Sequence, residues 1–141
     1  MWYNNRDMAK FLSGSESATI NYAKDYAASL LPGDIVVLKG EMGAGKTVFT
    51  KGIAKGLGIE EEVLSPTYTY MNDYSGRLYH YDCYRLENGA QAESLGLTDY
   101  FGGGGICVIE WAENIADVLP EKHKTVTIKK LRTANREIIC E

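Results

Sequence analysis

The residues best suited to chemistry form one short run, Gly-Glu-Met-Gly-Ala-Gly-Lys-Thr, at positions 40–47. The run satisfies every fixed position of G-x-x-x-x-G-K-[ST], the phosphate-binding P-loop. Glycines leave backbone N–H groups open to phosphate oxygens, because no side chain crowds them. In this pattern Lys46 reaches the β- and γ-phosphates, and Thr47 offers its hydroxyl to Mg²⁺. We therefore expect a nucleotide site here, although a glycine-rich turn with a solvated lysine is the simpler alternative. The residues expected to contact the nucleotide phosphates are Gly40, Met42, Gly43, Ala44, Gly45, Lys46 and Thr47.

A P-loop also needs a carboxylate, at the end of a neighbouring strand, to hold Mg²⁺ or the water bound to it. Glu110 fits best, because it follows the apolar residues 106–109 and a carboxylate there is costly to bury without a cation or donor. The alternative is a glutamate that simply leaves the sheet at a strand end. Asp82 is a second candidate, either for binding the metal through water or for orienting the attacking water. Alternatively, Asp82 pairs with Arg77 or Arg85 and holds a hairpin.

Three further positions allow two interpretations each. His80 shares its predicted strand face with Asp82, but a histidine there is more often packed and hydrogen-bonded than a base. Thr67, in the run Ser-Pro-Thr, follows the P-loop helix, so it either senses the γ-phosphate in a switch-like loop or belongs to a proline-stiffened turn. Trp111 either packs in the core or covers the site. No arginine is identifiable as a finger or lid, which predicts slow phosphate cleavage unless a partner completes the site.

The elements that position these residues follow from hydrophobic spacing. Residues 34–38 predict a short buried strand before the P-loop, and residues 47–57 predict a helix after it. Gly52 and Gly56 in that helix suggest close packing against the sheet. An earlier helix is expected to begin at a capping box of Ser13 and Glu16 and to end at residues 32–33.

The remaining segments predict mainly strands. Two tyrosine-rich runs around a Ser-Gly turn, residues 65–85, indicate an antiparallel hairpin. Residues 106–111 indicate a buried strand after a flexible four-glycine linker, and residues 124–140 indicate a closing hairpin. Residues 1–7 are expected to be irregular and residues 8–12 to form an edge strand. We expect one α/β domain over residues 1–141, a three-layer P-loop NTPase-like fold with a mixed, mainly parallel central sheet and an inserted β-hairpin.

Composition is ordinary for a globular protein, with 45% hydrophobic and 24% charged residues. The net charge of −4 predicts no strong basic patch for nucleic acid, so any RNA contact would be local or made through a partner. The three cysteines show no metal-binding spacing and predict buried free thiols. No run is apolar enough for a membrane span and no leader is evident, so we expect a cytoplasmic protein.

The chain resembles the TsaE (YjeE) family of small bacterial P-loop ATPases. The resemblance rests on the P-loop together with Ser-Pro-Thr-Tyr-Thr at 65–69, Tyr-His-Tyr-Asp-Cys-Tyr-Arg-Leu at 79–86, Gly-Leu-Thr-Asp-Tyr-Phe at 96–101 and Ile-Glu-Trp at 109–111. It covers residues 16–136, nearly the whole chain. The Walker motif is shared by many families, whereas this combination of elements is much more specific.

The resemblance implies an ATPase that binds ATP/ADP and Mg²⁺ and supports threonylcarbamoyladenosine formation at adenosine 37 of tRNA, acting with the TsaB–TsaD heterodimer. It implies that Lys46 and the loop amides hold phosphates and that Thr47 and Glu110 coordinate Mg²⁺. It further implies that Asp82 is the essential acidic residue and that Thr67 lies in a switch-like loop. Glu16 and Asn135 fall where family members line the nucleotide base.

Two other functions remain open from the sequence. A small-molecule or nucleotide kinase would need an acceptor pocket and a basic lid, for which 141 residues leave little room. A nucleotide-gated binding module would need only nucleotide occupancy, with hydrolysis incidental.

Overall fold

Eight strands and three α-helices make up the part of the chain that the computed structural model describes, residues 2–5, 8–66 and 68–141. Two 3₁₀ turns, Leu97–Tyr100 and Ala112–Ile115, follow α3 and β6 respectively. The helices are α1 (Glu16–Ala27), α2 (Lys46–Gly56) and α3 (Gly89–Ser94). The strands are β1 (Trp2–Asn5), β2 (Met8–Ser13), β3 (Ile35–Lys39), β4 (Met71–Tyr74), β5 (Leu78–Asp82), β6 (Ile106–Glu110), β7 (Lys124–Lys130) and β8 (Arg136–Cys140).

All eight strands belong to one mixed sheet, in the order β1-β2-β8-β7-β3-β6-β5-β4. The parallel pairs of the described sheet are β7–β3, β3–β6 and β6–β5, at its centre. The pairs at both edges are antiparallel and include the expected hairpin β4–β5. The mixed α/β sheet is therefore confirmed. Its antiparallel part is larger than one inserted hairpin would give, because β2, near the start of the chain, pairs with β8 near its end.

The helices cover both faces of the sheet and give the expected three layers. On one face, α1 and α2 pack over inward side chains of the central strands. On the other face, α3 and the two 3₁₀ turns pack over the alternate side chains of the same strands. The alternation along β3 illustrates this division, since Val36 and Leu38 belong to the first core and Ile35 and Val37 to the second.

The two glycines inside α2 lie against α1 rather than against the sheet, which corrects the sequence interpretation. A Cβ at Gly52 would lie 2.4 Å from the Cβ of Ala23, and one at Gly56 would lie 2.6 Å from that of Ala27. The small residues on both helices therefore permit a close backbone approach. This contact fixes the position of α1 relative to the P-loop helix.

The start of the chain differs from the prediction in two respects. Residues 2–5 form β1, where an irregular segment was expected, because they pair with β2. The N-cap of α1 is Ser15, whose side chain accepts the N–H of Ala18, whereas Ser13 was expected there. The Ser13 hydroxyl instead lies 2.6 Å from that of Thr19 and donates to the Ser15 carbonyl.

The ends of two other segments also differ. Helix α1 ends at Ala27, several residues before the expected stop at 32–33. The last residue of the four-glycine segment is fixed by packing, because the Gly105 carbonyl accepts the N–H of Gly33 and a Cβ there would lie 2.6 Å from the ring of Tyr79.

The three cysteines are free and buried, as predicted. Burial raises the pKa of the Cys83 thiol to about 12 and that of Cys107 to about 11, because the thiolate is poorly solvated inside the core. Within the described residues, no helix combines the length and apolar character needed to span a bilayer.

Candidate active site

The P-loop connects the end of β3 to the start of α2. Gly43 and Gly45 have φ values of 77° and 113°, a region that favours glycine. Gly45 is the N-cap of α2 and provides no side-chain cap, whereas Ser15 caps α1 and Asn88 caps α3. The first N–H groups of α2 are therefore left for an acceptor other than a capping side chain, as in helix termini that bind phosphate.

A cleft of about 790 Å³ lies above the P-loop, at the carboxyl ends of the parallel strands. Its walls come from the start of α1, the P-loop and the first turn of α2, the segment between α2 and β4, the ends of β5 and β6 with the residues that follow them, and the β7–β8 connection with the start of β8. The lining residues are Ser15, Glu16, Thr19, Met42, Gly43, Ala44, Gly45, Lys46, Thr47, Val48, Ser65, Tyr68, Asp82, Tyr84, Arg85, Glu110, Trp111, Ala134 and Arg136.

The cleft brings together most of the residues singled out in the sequence, although they come from four separate segments. Those that line it are Glu16, Met42, Gly43, Ala44, Gly45, Lys46, Thr47, Asp82 and Glu110. Gly40 is not among the lining residues; its carbonyl accepts a hydrogen bond from Lys46. Asn135 is not among them either, whereas its neighbours Ala134 and Arg136 are. Thr67 lies outside the described residues.

Lys46 is the central cation of the cleft and is only 7% exposed. Its Nζ donates to the Gly40 carbonyl at 2.7 Å and lies 4.0 Å from Oε1 of Glu110. The Trp111 ring centroid is 4.3 Å from the same Nζ, a cation–π contact. Trp111 therefore lines the site as well as packing against the core. Its φ of 59° is a left-handed conformation that is strained for a bulky residue, as often found at functional sites.

Glu110 ends β6 with its carboxylate inside the protein, at 6% exposure. Oε2 lies 2.7 Å from Nε2 of the fully buried His80, and Oε1 is the oxygen nearest Lys46. In register, Glu110 lies beside Leu38 of β3 and Asp82 of β5. The carboxylate therefore does not simply leave the sheet at a strand end, which was the alternative interpretation.

Asp82 is half-buried at the end of β5 and one of its oxygens accepts the Tyr84 N–H at 3.0 Å. Among the described residues it pairs with neither arginine that the sequence suggested. Arg77 donates to the Leu57 carbonyl, and the Arg85 guanidinium lies 5.4 Å from the Tyr68 ring centroid. The Asp82 carboxylate is thus available to the cleft rather than used to hold the hairpin.

The donor set fits Mg²⁺. Thr47 contributes a hydroxyl, and Glu110 and Asp82 contribute carboxylate oxygens, in the same cleft as the P-loop. Mg²⁺ prefers oxygen ligands and is commonly held by one or two protein groups together with phosphates and water. Thr47 and Glu110 are the residues that would hold it here.

Arg136 is one of the residues of the site that sequence reasoning missed. Its Nε donates to the Ala44 carbonyl at 2.9 Å, and a terminal nitrogen lies 3.5 Å from the Gly43 carbonyl. These bonds tie β8 to the P-loop across 92 positions of sequence. The residues around Arg136 do not predict this contact, because it forms only when β8 pairs with β7 in the sheet.

We expect Arg136→Ala to weaken ADP binding by about tenfold. A hydrogen bond from a charged group contributes on the order of 1.5–3 kcal/mol to the stability of the contact it makes. Because Arg136 contacts the P-loop, only part of that free energy should be lost from ADP binding. The guanidinium fixes the Ala44 carbonyl by a hydrogen bond, and we expect this to keep the loop N–H groups arranged for phosphate. Titration calorimetry with ADP measures the change. Arg132→Ala, at an exposed position of the β7–β8 connection just before β8, is the matched control and should bind ADP normally. Equal affinities in both variants would show that Arg136 does not shape the loop.

Comparisons with known proteins give a consistent picture. A family model described as threonylcarbamoyl adenosine biosynthesis protein TsaE matches residues 13–138. The tRNA threonylcarbamoyladenosine biosynthesis protein TsaE of Bacillus subtilis (strain 168) is 47% identical over 119 residues, 82% of this chain and 74% of that protein. The protein of the same name from Treponema pallidum (strain Nichols) is 43% identical over 129 residues, 90% of this chain and 96% of that protein. The crystal structure of Bacillus subtilis YdiB superposes with a TM-score of 0.79 at 38% identity, covering 99% of this chain and 86% of that one.

Proposed function

Because the chain belongs to the TsaE family of threonylcarbamoyladenosine biosynthesis proteins, we propose that it is a Mg²⁺-dependent ATPase that supports this tRNA modification. The observation that carries the proposal is the convergence of Lys46, Thr47, Asp82 and Glu110 on one cleft beside an uncapped helix start. This combination is what phosphoryl transfer from a nucleotide requires. The reaction is ATP + H₂O → ADP + phosphate.

Each residue has a distinct role in the proposed reaction. The loop N–H groups and Lys46 bind the phosphates, and Lys46 exchanges its contacts with Gly40 and Glu110 for phosphate oxygens. Thr47 and Glu110 hold Mg²⁺, which when bound offsets negative charge on the phosphate oxygens. Asp82 orients water near the γ-phosphate. Thr67 lies outside the described residues, and its proposed role of sensing that phosphate rests on the sequence alone.

The nucleoside end of ATP would lie toward the start of α1. Glu16 lines the cleft there, as do Ala134 of the β7–β8 connection, which also carries Asn135, and Arg136 at the start of β8. We propose that Glu16 and this connection contact the base.

We propose that the partner is the TsaB–TsaD heterodimer, in the cytoplasm, and that tRNA is reached through the complex. The net charge of −4 supports indirect contact with tRNA, since a protein that binds RNA alone usually carries a basic face. The position of Arg77 supports slow hydrolysis by the isolated chain, because its guanidinium donates to the Leu57 carbonyl, outside the cleft. Arg85 lines the cleft, but its guanidinium lies against the Tyr68 ring. The heterodimer would then accelerate turnover.

The test is phosphate and ADP release from ATP, measured with Mg²⁺ or with EDTA, and with or without the TsaB–TsaD pair. We expect both products in equal amounts, only with Mg²⁺, and faster with the pair present. ADP release without free phosphate, dependent on an added acceptor, would identify a kinase instead. Glu110→Gln addresses the binding-module alternative: if it binds ATP, does not hydrolyse it and still supports tRNA modification, occupancy is sufficient.

A further inference from the structure

His80 has a position in the core that packing alone does not explain. It lies on β5 with a fully buried side chain, beside Val108 of β6 in register. Its Nε2 lies 2.7 Å from Oε2 of Glu110, and its Nδ1 is buried with no hydrogen-bond partner among the described residues. A buried imidazole with one unpartnered nitrogen is less favourable than an apolar side chain of similar size.

The polar residue paired with His80 in the sheet does not hydrogen-bond to Nδ1. Asn72 is the register partner of His80 on β4, but its amide group donates to the Leu64 carbonyl and accepts from Thr69. The contact with Glu110 is therefore the polar interaction that the described structure gives this side chain. An ionised carboxylate only accepts hydrogen bonds, so Nε2 carries the hydrogen and donates it to Oε2.

This hydrogen bond determines which oxygen of Glu110 is available to the cleft. With Oε2 held by His80, Oε1 is the oxygen on the side of Lys46, 4.0 Å from its Nζ. A carboxylate free to rotate would present either oxygen, or both, and would lose rotational freedom each time it bound a cation. The hydrogen bond from His80 fixes the orientation of the Glu110 carboxylate before a cation binds.

We propose that His80 is a positioning residue, which orients the Glu110 carboxylate so that Oε1 is presented to the Mg²⁺ of a bound nucleotide. The inference rests on the proposed function, because it assumes that Glu110 holds Mg²⁺. His80 does not itself touch nucleotide or metal, since its side chain is fully buried below Glu110.

Two substitutions separate the hydrogen bond from the packing. His80→Leu keeps an apolar side chain of moderate size and removes the donor. His80→Gln places an amide nitrogen at the same number of bonds from the backbone as Nε2, so it retains a donor toward Oε2. The readout is Mn²⁺ affinity in the presence of ADP, followed by the electron paramagnetic resonance signal of free Mn²⁺, together with ADP affinity in EDTA.

We expect His80→Leu to bind Mn²⁺ in the presence of ADP about 10–100-fold more weakly than wild type, with unchanged ADP affinity in EDTA. His80→Gln should recover most of the Mn²⁺ affinity. Wild-type Mn²⁺ affinity in His80→Leu, or an equal loss in both variants, would overturn the inference and leave the proposed ATPase standing. Failure of the wild-type protein to bind Mn²⁺ with ADP would instead overturn the proposed function and, with it, the positioning role.

A measurement on the wild-type side chain keeps the inference testable if His80→Leu does not fold. The chain has two histidines, and His123 is exposed, so His123→Ala leaves a single imidazole to observe. We expect ¹⁵N chemical shifts that place the hydrogen on Nε2, and a change in those shifts in Glu110→Gln. Hydrogen on Nδ1 alone, or shifts insensitive to Glu110→Gln, would overturn the positioning role.

Discussion

Lys46→Met should lower the rate of Mg²⁺-dependent ATP hydrolysis by about 10²–10³-fold, the loss typical when one charge-stabilising donor is removed from a preorganised site. Methionine keeps an unbranched side chain beneath the Trp111 ring but removes the ammonium that lies between Gly40, Glu110 and that ring. The loss should be present with and without the TsaB–TsaD pair, because the ammonium belongs to the P-loop of this chain. Phosphate release at saturating ATP measures it.

Lys51→Met is the matched control, since Lys51 lies on the same helix with an exposed side chain. It should hydrolyse ATP at the wild-type rate. Thermal unfolding of both variants separates loss of chemistry from loss of structure. A folded Lys46→Met protein that hydrolyses ATP as fast as wild type would remove Lys46 from the reaction.

Gly52→Ala should destabilise the protein by about 1–3 kcal/mol, the usual effect of forcing extra volume into a close-packed contact. The added Cβ would lie 2.4 Å from the Ala23 Cβ and 2.5 Å from the Ile20 carbonyl oxygen, so α1 must move away. Alanine is a better helix former than glycine by up to about 1 kcal/mol, which offsets part of the effect. Urea unfolding gives the free energy of unfolding.

Gly104→Ala is the control for this substitution. Gly104 is exposed and an added Cβ would meet no atom within 4 Å, so its stability should match or slightly exceed that of wild type. The displacement of α1 in Gly52→Ala should also weaken ADP binding, because Ser15 and Glu16 at the start of α1 line the cleft. Unchanged stability in Gly52→Ala would mean that the two helices are not in close contact at this point.

Much of the fold could be predicted from local patterns. The apolar run before the P-loop, the turn at Ser75 and Gly76, and the apolar run ending at Glu110 each indicated a strand that the structure contains. These patterns can be seen in short stretches of sequence. A strand buried on both faces of the sheet needs consecutive apolar residues, and a tight turn needs particular residue types at adjacent positions. The same logic placed Glu110 at a strand end, where the structure has it. Asp82 was expected inside a strand, whereas it is the last residue of β5.

What could not be predicted depends on which segments become neighbours. The bond from Arg136 to Ala44, the His80–Glu110 pair and the Lys46–Trp111 contact join residues that are distant in sequence. Strand β1 was missed for the same reason, because its pairing with β2 was not visible in its own composition. Gly52 and Gly56 indicated close packing, but the spacing of glycines does not say which element they face.

The position of β8 between β2 and β7 determines when the sheet can be completed during translation of this protein. The first hairpin, β1–β2, joins the rest of the described sheet through β8, residues 136–140. It can therefore pair with the sheet only after those residues have emerged from the ribosome. The guanidinium that hydrogen-bonds to the P-loop belongs to the same strand, at residue 136. A nascent chain arrested before that residue would carry every residue of the Walker motif and still lack this hydrogen bond, so its affinity for nucleotide should increase only after residue 136 has been added.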